Sequence, residues 1–231
     1  MATSGPMLEL RAALPSFDES GLAPVPFDLR LMPGDCAVVE CRDPHRATLF
    51  ADLCCGMVPL AAGSVRFMGL DWQDLGDRQL NALRGRIGRL ARQGTWVDLF
   101  GTHLNIMLPQ LHHTTRPTDE VIDAAMTLGQ AFGFPGLPVS VPGRLSAADL
   151  ARAACVRAFL GRPDLLLLED VSDALPADAM LPFLEAVTAA RDRGAAVLWF
   201  ARKASIWYEY RKAVNVHLRL LDEGLFVMRG V

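Results

Sequence analysis

The rhythm of apolar and polar positions changes several times along the chain, and each rhythm predicts an element. Phe27 to Leu31, stopping at Met32-Pro33-Gly34-Asp35, reads as a strand closed by a Pro-Gly turn. Cys36-Ala37-Val38-Val39-Glu40 reads as the short buried strand that follows. From Ala47 to Cys55 the spacing turns helical, with Leu49, Phe50 and Leu53 on one face and Gly56 just past the end. Ser64 to Met68 predicts another strand, which leaves through Gly69-Leu70-Asp71.

Between Thr95 and Pro142 the texture changes. Gly, Pro and His punctuate short helical patterns such as Asp119 to Phe132, and no strand pattern stands out. We read this stretch as a helical insertion rather than a separate domain. A parallel-sheet pattern resumes with Leu165 to Leu168, Ala195 to Phe200 and Val214 to Leu220, separated by helices at Ala147 to Leu160 and Ala177 to Arg191. An Asp222-Glu223-Gly224 turn then closes a hairpin with Leu225 to Met228.

Bulk properties narrow the picture. With 231 residues and 51% apolar side chains, the chain suffices for one α/β domain with a sizeable insertion. A formal charge of -3 offers no basic stripe for nucleic acid. The five cysteines are an odd set without a CxxC, which points to neither a zinc site nor a disulfide framework and suits a reducing cytosol. His103, His112 and His113 have no companions at metal-ligand spacing and read as loop residues of the insertion, so no metal site is expected. The first residues lack the pattern of a signal peptide, and no apolar run approaches the ~20 residues needed to cross a bilayer, so any membrane role is expected to be peripheral.

The most informative chemistry is a long-range constellation. Arg144-Leu145-Ser146-Ala147-Ala148-Asp149 opens a helix that runs through Arg157-Ala158-Phe159-Leu160-Gly161-Arg162-Pro163-Asp164 into the apolar strand Leu165 to Leu168, whose tip carries Glu169-Asp170. Ser146 with Asp149 also has the form of a shortened capping box. In order and spacing, from about Leu8 to Met228, the chain resembles the nucleotide-binding subunits of ABC transporters. That resemblance implies a P-loop NTPase-like α/β core, mostly parallel with an antiparallel β region, plus a helical subdomain at roughly 95–160 within one domain of residues 1–231. It also implies ATP and Mg²⁺ as ligands, head-to-tail pairing with a second nucleotide-binding subunit, and a membrane permease whose coupling helix enters a groove. Leu83 to Gly88 and the stretch to Leu108-Pro109 resemble the branch that serves lipid and lipoprotein transport.

Position by position, the residues depart from that family's chemistry. A phosphate loop needs glycines to bring N–H groups around phosphate oxygens, a lysine for the outer phosphates and a hydroxyl for Mg²⁺. Here Glu40 and His45 stand at glycine positions, Pro44 removes a donor, Arg46 replaces the lysine, and Ala47, followed by Thr48, cannot ligate Mg²⁺. Lysines occur only at 203 and 212. The family's carboxylate pair is reversed, Glu169 standing where an aspartate holds the Mg²⁺ shell and Asp170 where a glutamate polarises water. Arg92 falls on the glutamine position of the Q-loop ahead of Asn105-Ile106, with Gln93 one residue away. Arg202 follows the strand where a switch histidine belongs, and Ser172 to Pro176 varies the dimer loop. Phe17 is a candidate to stack adenine. Trp96, Val97, Leu99 and Phe100 are candidates for the permease-facing groove.

The expectation is a catalytically impaired subunit of a transport complex, with ATP and Mg²⁺ bound weakly if at all, on the cytoplasmic face of the inner membrane. Ser146 at a helix N-terminus could still face the phosphate held by a partner subunit. The alternatives are a slow ATPase that uses Arg46 and Asp170, and a regulatory or scaffolding protein outside transport.

Overall fold

The computed structural model describes residues 5–16, 21–91, 95–203, 210 and 214–228. Two sheets organise it. Strands β1 (Leu8–Pro15), β2 (Phe27–Leu31), β4 (Leu60–Phe67) and β5 (Leu70–Asp71) form a four-stranded antiparallel sheet in the order β2-β1-β4-β5. The six-stranded sheet adds β3 (Cys36–Glu40), β6 (Ile87–Leu90), β7 (Leu165–Glu169), β8 (Ala196–Ala201), β9 (Val216–Leu221) and β10 (Gly224–Val227), in the order β10-β9-β3-β8-β7-β6. All its pairings are parallel except the terminal β9–β10 hairpin.

Strands β3, β7 and β8 are buried along their whole length. Their continuous apolar runs are explained by cover on both faces. The period of two divides their side chains between two cores. Val38, Leu166, Leu168, Val197 and Trp199 join one cluster, while Ala37, Val39, Leu165, Leu167, Leu198 and Phe200 join the other.

The first cluster lies under the helices α3 (Thr102–His113), α4 (Thr118–Ala131), α5 (Ala147–Phe159), the short α6 (Val171–Ala174) and α7 (Ala177–Asp192). Phe183 ties α7 to the sheet through an edge contact with Trp199 at 5.4 Å, and to α5 through Phe159 at 5.9 Å. The second cluster holds α1 (Pro44–Cys54) between the sheets, where Phe50 meets Phe27 at 5.3 Å and Phe200 at 6.2 Å.

Several expectations need correction. Helix α1 starts at Pro44 rather than near Ala47, because Asp43 caps it and a proline at its first position already has helical φ. Strand β4 starts at Leu60, four residues before Ser64, and pairs with β1, which the sequence pattern had not revealed. A bulge interrupts β1 at Ala12, which has φ 43°, and Gly63 faces it so closely that a Cβ would lie 2.0 Å from the Ala12 carbonyl oxygen. Helix α2 (Asp77–Arg84) was likewise unanticipated, and α3 lies inside the stretch read as a helical insertion, where its bounds had not been singled out. His103, His112 and His113 therefore sit on a helix, not in loops. The buried Asn105 side chain on α3 shapes the preceding segment, accepting from Val97 N at 2.7 Å and donating to the carbonyls of Val97, Phe100 and Gly101.

Among the described residues, no helix is long and apolar enough to cross a membrane.

Candidate functional site

Strand β3, the loop after it, α1 and the tip of β7 converge where the phosphate loop was expected. Glu40 ends β3 and is buried against β9. Its Oε2 accepts from Arg219 Nη2 at 2.8 Å and Nε at 3.1 Å, and His217 Nε2 lies 4.0 Å away. Burial pushes the His217 imidazole below its ordinary value, the Glu40 carboxylate pulls it back up, and Arg219 lowers it again. The position where a phosphate loop was expected to have glycine thus carries a carboxylate with its own protein partners.

The loop itself is short. Asp43 Oδ1 accepts from His45 N at 2.9 Å, so a carboxylate takes a helix N-terminal donor that an anion would use. His45, Arg46, Ala47 and Thr48 all lie within α1 instead of in a loose cradle. The Arg46 guanidinium swings to Asp222, in the turn between β9 and β10, and stays 3.9 Å from Asp43.

At the strand tip, Glu169 is only 2% exposed. Thr48 Oγ1 donates to Glu169 Oε2 at 2.6 Å, and Arg89 Nε donates to Glu169 Oε1 at 3.0 Å. Arg89 reaches there from β6; its Nη1 pairs with Asp52 of α1 and its Nη2 donates to the Thr48 carbonyl at 3.3 Å. Burial works against the Arg89 charge, but the Glu169 carboxylate together with Cys55 and Asp52 outweighs it, so the guanidinium is held more firmly protonated than usual.

Asp170 follows in a left-handed conformation, φ 49°, with its N–H on the Phe200 carbonyl at 3.1 Å and its Oδ2 3.7 Å from Arg202 Nε. Glu169 and Asp170, adjacent in sequence, therefore serve separate networks.

A divalent cation at this place needs oxygen ligands and a nearly octahedral shell. Both Glu169 oxygens are engaged, Ala47 supplies none, and a guanidinium occupies the adjoining space. Bringing Mg²⁺ to Glu169 means displacing Arg89 or repelling it, so the residues present do not fit the ion. Among the described residues there is also no cluster of three or more His, Cys, Asp or Glu side chains placed to hold a metal.

The segment expected as the signature opens α5. Ser146 caps α5, accepting from Asp149 N at 3.1 Å while its hydroxyl donates to Asp149 Oδ2 at 2.8 Å. Ala147 and Ala148 occupy the first turn, and Leu145 sits just before the cap. Arg92, Gln93 and Phe17 lie outside the described residues, as do the side chains of Ser172 and Asp173.

Trp96 is half-buried, with the Arg157 guanidinium 4.2 Å from its ring centroid. Arg157 also donates to the Thr95 carbonyl at 3.0 Å. Val97, Leu99 and Phe100 are exposed, Leu99 to 92%. Beside them α3 presents Leu104, Leu108 and Leu111 at helical spacing, and a cavity of about 270 Å³ opens between Leu108, Met57, Arg84, Arg89 and Arg157.

Sequence reasoning named Glu40, Arg46, Thr48, Glu169, Asp170 and Arg202 but missed Arg219, Asp222 and Arg89, which pair with Glu40, Arg46 and Glu169, and Asp52, which pairs with Arg89. Arg89 lay inside a run recognised for its spacing alone. No local signal marks the other three.

No family model matches the chain. It is 30% identical over 108 residues to the intermembrane phospholipid transport system ATP-binding protein MlaF of Haemophilus influenzae, covering 47% of this chain and 41% of that protein. To the lipoprotein-releasing system ATP-binding protein LolD of Gluconobacter oxydans it is 37% identical over 140 residues, 60% of each chain. The chain spans between 35% and 60% of the length of the curated relatives it matches. Among solved structures, the ATP-binding cassette MJ0796 in a dimeric post-hydrolysis state with ADP and Pi superposes with a TM-score of 0.79 at 17% identity, covering 97% of this chain and 100% of that one. An ATP binding subunit of an ABC transporter gives a TM-score of 0.80 at 14% identity over 96% of this chain and 90% of that one. Relatives by sequence and neighbours by fold agree: the chain is similar to the ATP-binding proteins of ABC transporters and has the α/β fold of their nucleotide-binding domain.

Proposed function

We propose that the chain is a nucleotide-binding-domain subunit of a membrane transport complex whose own site does not turn over ATP. One observation carries this reading: the charged side chains at the phosphate-loop and strand-tip positions are neutralised by other side chains of the same protein. Glu40 has Arg219, Arg46 has Asp222, and Glu169 has Arg89 and Thr48. Phosphoryl transfer depends on preorganised positive charge aimed at the phosphates and on a placed metal. Arginine charge drawn into internal pairs contributes little to either. The subunit then works through its surfaces, pairing with a second nucleotide-binding subunit and docking a permease at the exposed Leu99 and Phe100 beside Trp96. Relatives named for phospholipid and lipoprotein systems favour a lipid-type cargo.

Calorimetric titration of the purified chain with Mg²⁺ and ATP into the millimolar range tests the reading. The expected result is no saturable heat and no shift in melting temperature. Saturable binding accompanied by phosphate release, abolished by Asp170→Asn, would establish instead an ATPase of unusual geometry.

A further inference from the structure

We infer that the guanidinium of Arg89 is a tethered substitute for a divalent cation, filling a latent metal site formed by Glu169, Asp52 and Thr48. This rests on the preceding reading of the site and deepens it by naming the group that closes it.

The geometry is specific. Arg89 starts on β6, at the opposite side of β7 from β8, and its three guanidinium nitrogens each find a separate oxygen acceptor on two other elements. Nε meets the carboxylate at the tip of β7, Nη1 a carboxylate on α1, and Nη2 a backbone carbonyl of α1. Two carboxylates, one hydroxyl and one carbonyl converging from a strand tip and a helix make an oxygen-rich set of the kind hard cations prefer. Glu169 is nearly inaccessible, and Asp52 and Arg89 each keep only 23% side-chain exposure.

A carboxylate so placed needs a compensating charge. Arg89 supplies it covalently, with a planar fork that can satisfy several acceptors at once. The helix–strand junction then holds without a bound ion, and added metal finds its electrostatic position taken.

The test removes the charge and offers an ion. Mn²⁺ alone, without nucleotide, is titrated into the wild-type chain, Arg89→Met and the double variant Arg89→Met/Glu169→Gln, followed by electron paramagnetic resonance and by melting temperature. The wild type should show no saturable Mn²⁺ binding. Arg89→Met should melt lower, bind Mn²⁺ at least about tenfold more tightly than wild type, and recover part of the lost melting temperature through ligand linkage. The double variant should lose the Mn²⁺ response.

Equal Mn²⁺ binding by wild type and Arg89→Met, or a response that survives Glu169→Gln, overturns the assignment. If Arg89→Met is insoluble, it is refolded from denaturant with and without Mn²⁺. Recovery with the metal only supports the assignment, whereas recovery in both conditions or in neither overturns it. Because ATP is absent from every arm, a failed Mn²⁺ response counts against Arg89 alone. ATP turnover by the parent chain would count against the reading of the previous subsection.

Discussion

Removing the cation from the Glu40–Arg219 pair should cost more than removing the anion. The Glu40 side chain is 7% exposed and that of Arg219 38%. Arg219→Ala strands a carboxylate that water barely reaches, whereas Glu40→Gln leaves a guanidinium free to turn outward. Breaking a fully buried pair costs on the order of 3–5 kcal/mol; with Arg219 more than a third exposed, solvent screening brings the expectation to about 2 kcal/mol for Arg219→Ala. Glu40→Gln keeps the shape and part of the hydrogen bonding, so about 1 kcal/mol is expected. At roughly 2–4 °C per kcal/mol for a chain of this size, the two melting temperatures should fall by about 4–8 °C and about 2–4 °C.

His217 adds a pH signature to the first variant. Without Arg219, one influence that lowers its pKa is gone, while Glu40 still lies 4.0 Å away and raises it. In the wild type burial holds the folded pKa of His217 below its unfolded value of about 6.5, so the histidine costs stability as pH falls through that range, and removing Arg219 relieves part of this cost at low pH only. The loss caused by Arg219→Ala should therefore be smaller at pH 6 than at pH 8. Urea unfolding of the wild type and both variants at the two pH values measures this. A Glu40→Gln penalty equal to or larger than that of Arg219→Ala, or an Arg219→Ala loss independent of pH, would refute the reasoning.

Other outcomes are equally open to measurement. Ser146→Ala removes the cap on α5, whose oxygen accepts from Asp149 N at 3.1 Å, and should lower stability by about 1 kcal/mol in thermal melts. Gly88→Ala would place a Cβ 2.0 Å from the Ala158 carbonyl oxygen, forcing β6 and α5 apart; a loss above about 2 kcal/mol or failure to fold is expected, and a wild-type melt would contradict the packing. Burial pushes the thiols of Cys36, Cys55 and Cys155 up to about 12, so iodoacetamide at pH 8 should modify them only in denaturant; stoichiometric labelling of the native chain would show the cores to be open.

The elements with long uniform rhythm were legible. Strands β7 and β8 and helices α5 and α7 fall within one or two residues of the pattern, because their burial is regular along their length. Strand β1 escaped because its bulge breaks the alternation of buried and exposed positions. Helix α2 buries only Leu83 and therefore offers no apolar stripe, and α3 carries Pro109 and three histidines that suggest a loop. The site was half legible. Position along the chain singled out Glu40, Arg46 and Glu169 as expected site residues, but not which groups would answer their charges. Those partners lie 179, 176 and 80 residues away and meet them only through the sheet order and the seating of α1. Spacing motifs carry no record of such pairs.

The internal pairing at the strand tips also bears on how this sequence can change over time. Glu40, Arg46 and Arg89 each join segments far apart in the chain, so the contacts that set the local charge also contribute to fold stability. A replacement that placed glycine at position 40 or removed the guanidinium at 89 would arrive first as a loss of stability, before any second change could exploit the vacated space. Substitution at these positions is therefore constrained first by the need to stay folded, and only coupled changes at both partners would keep the local charge balanced.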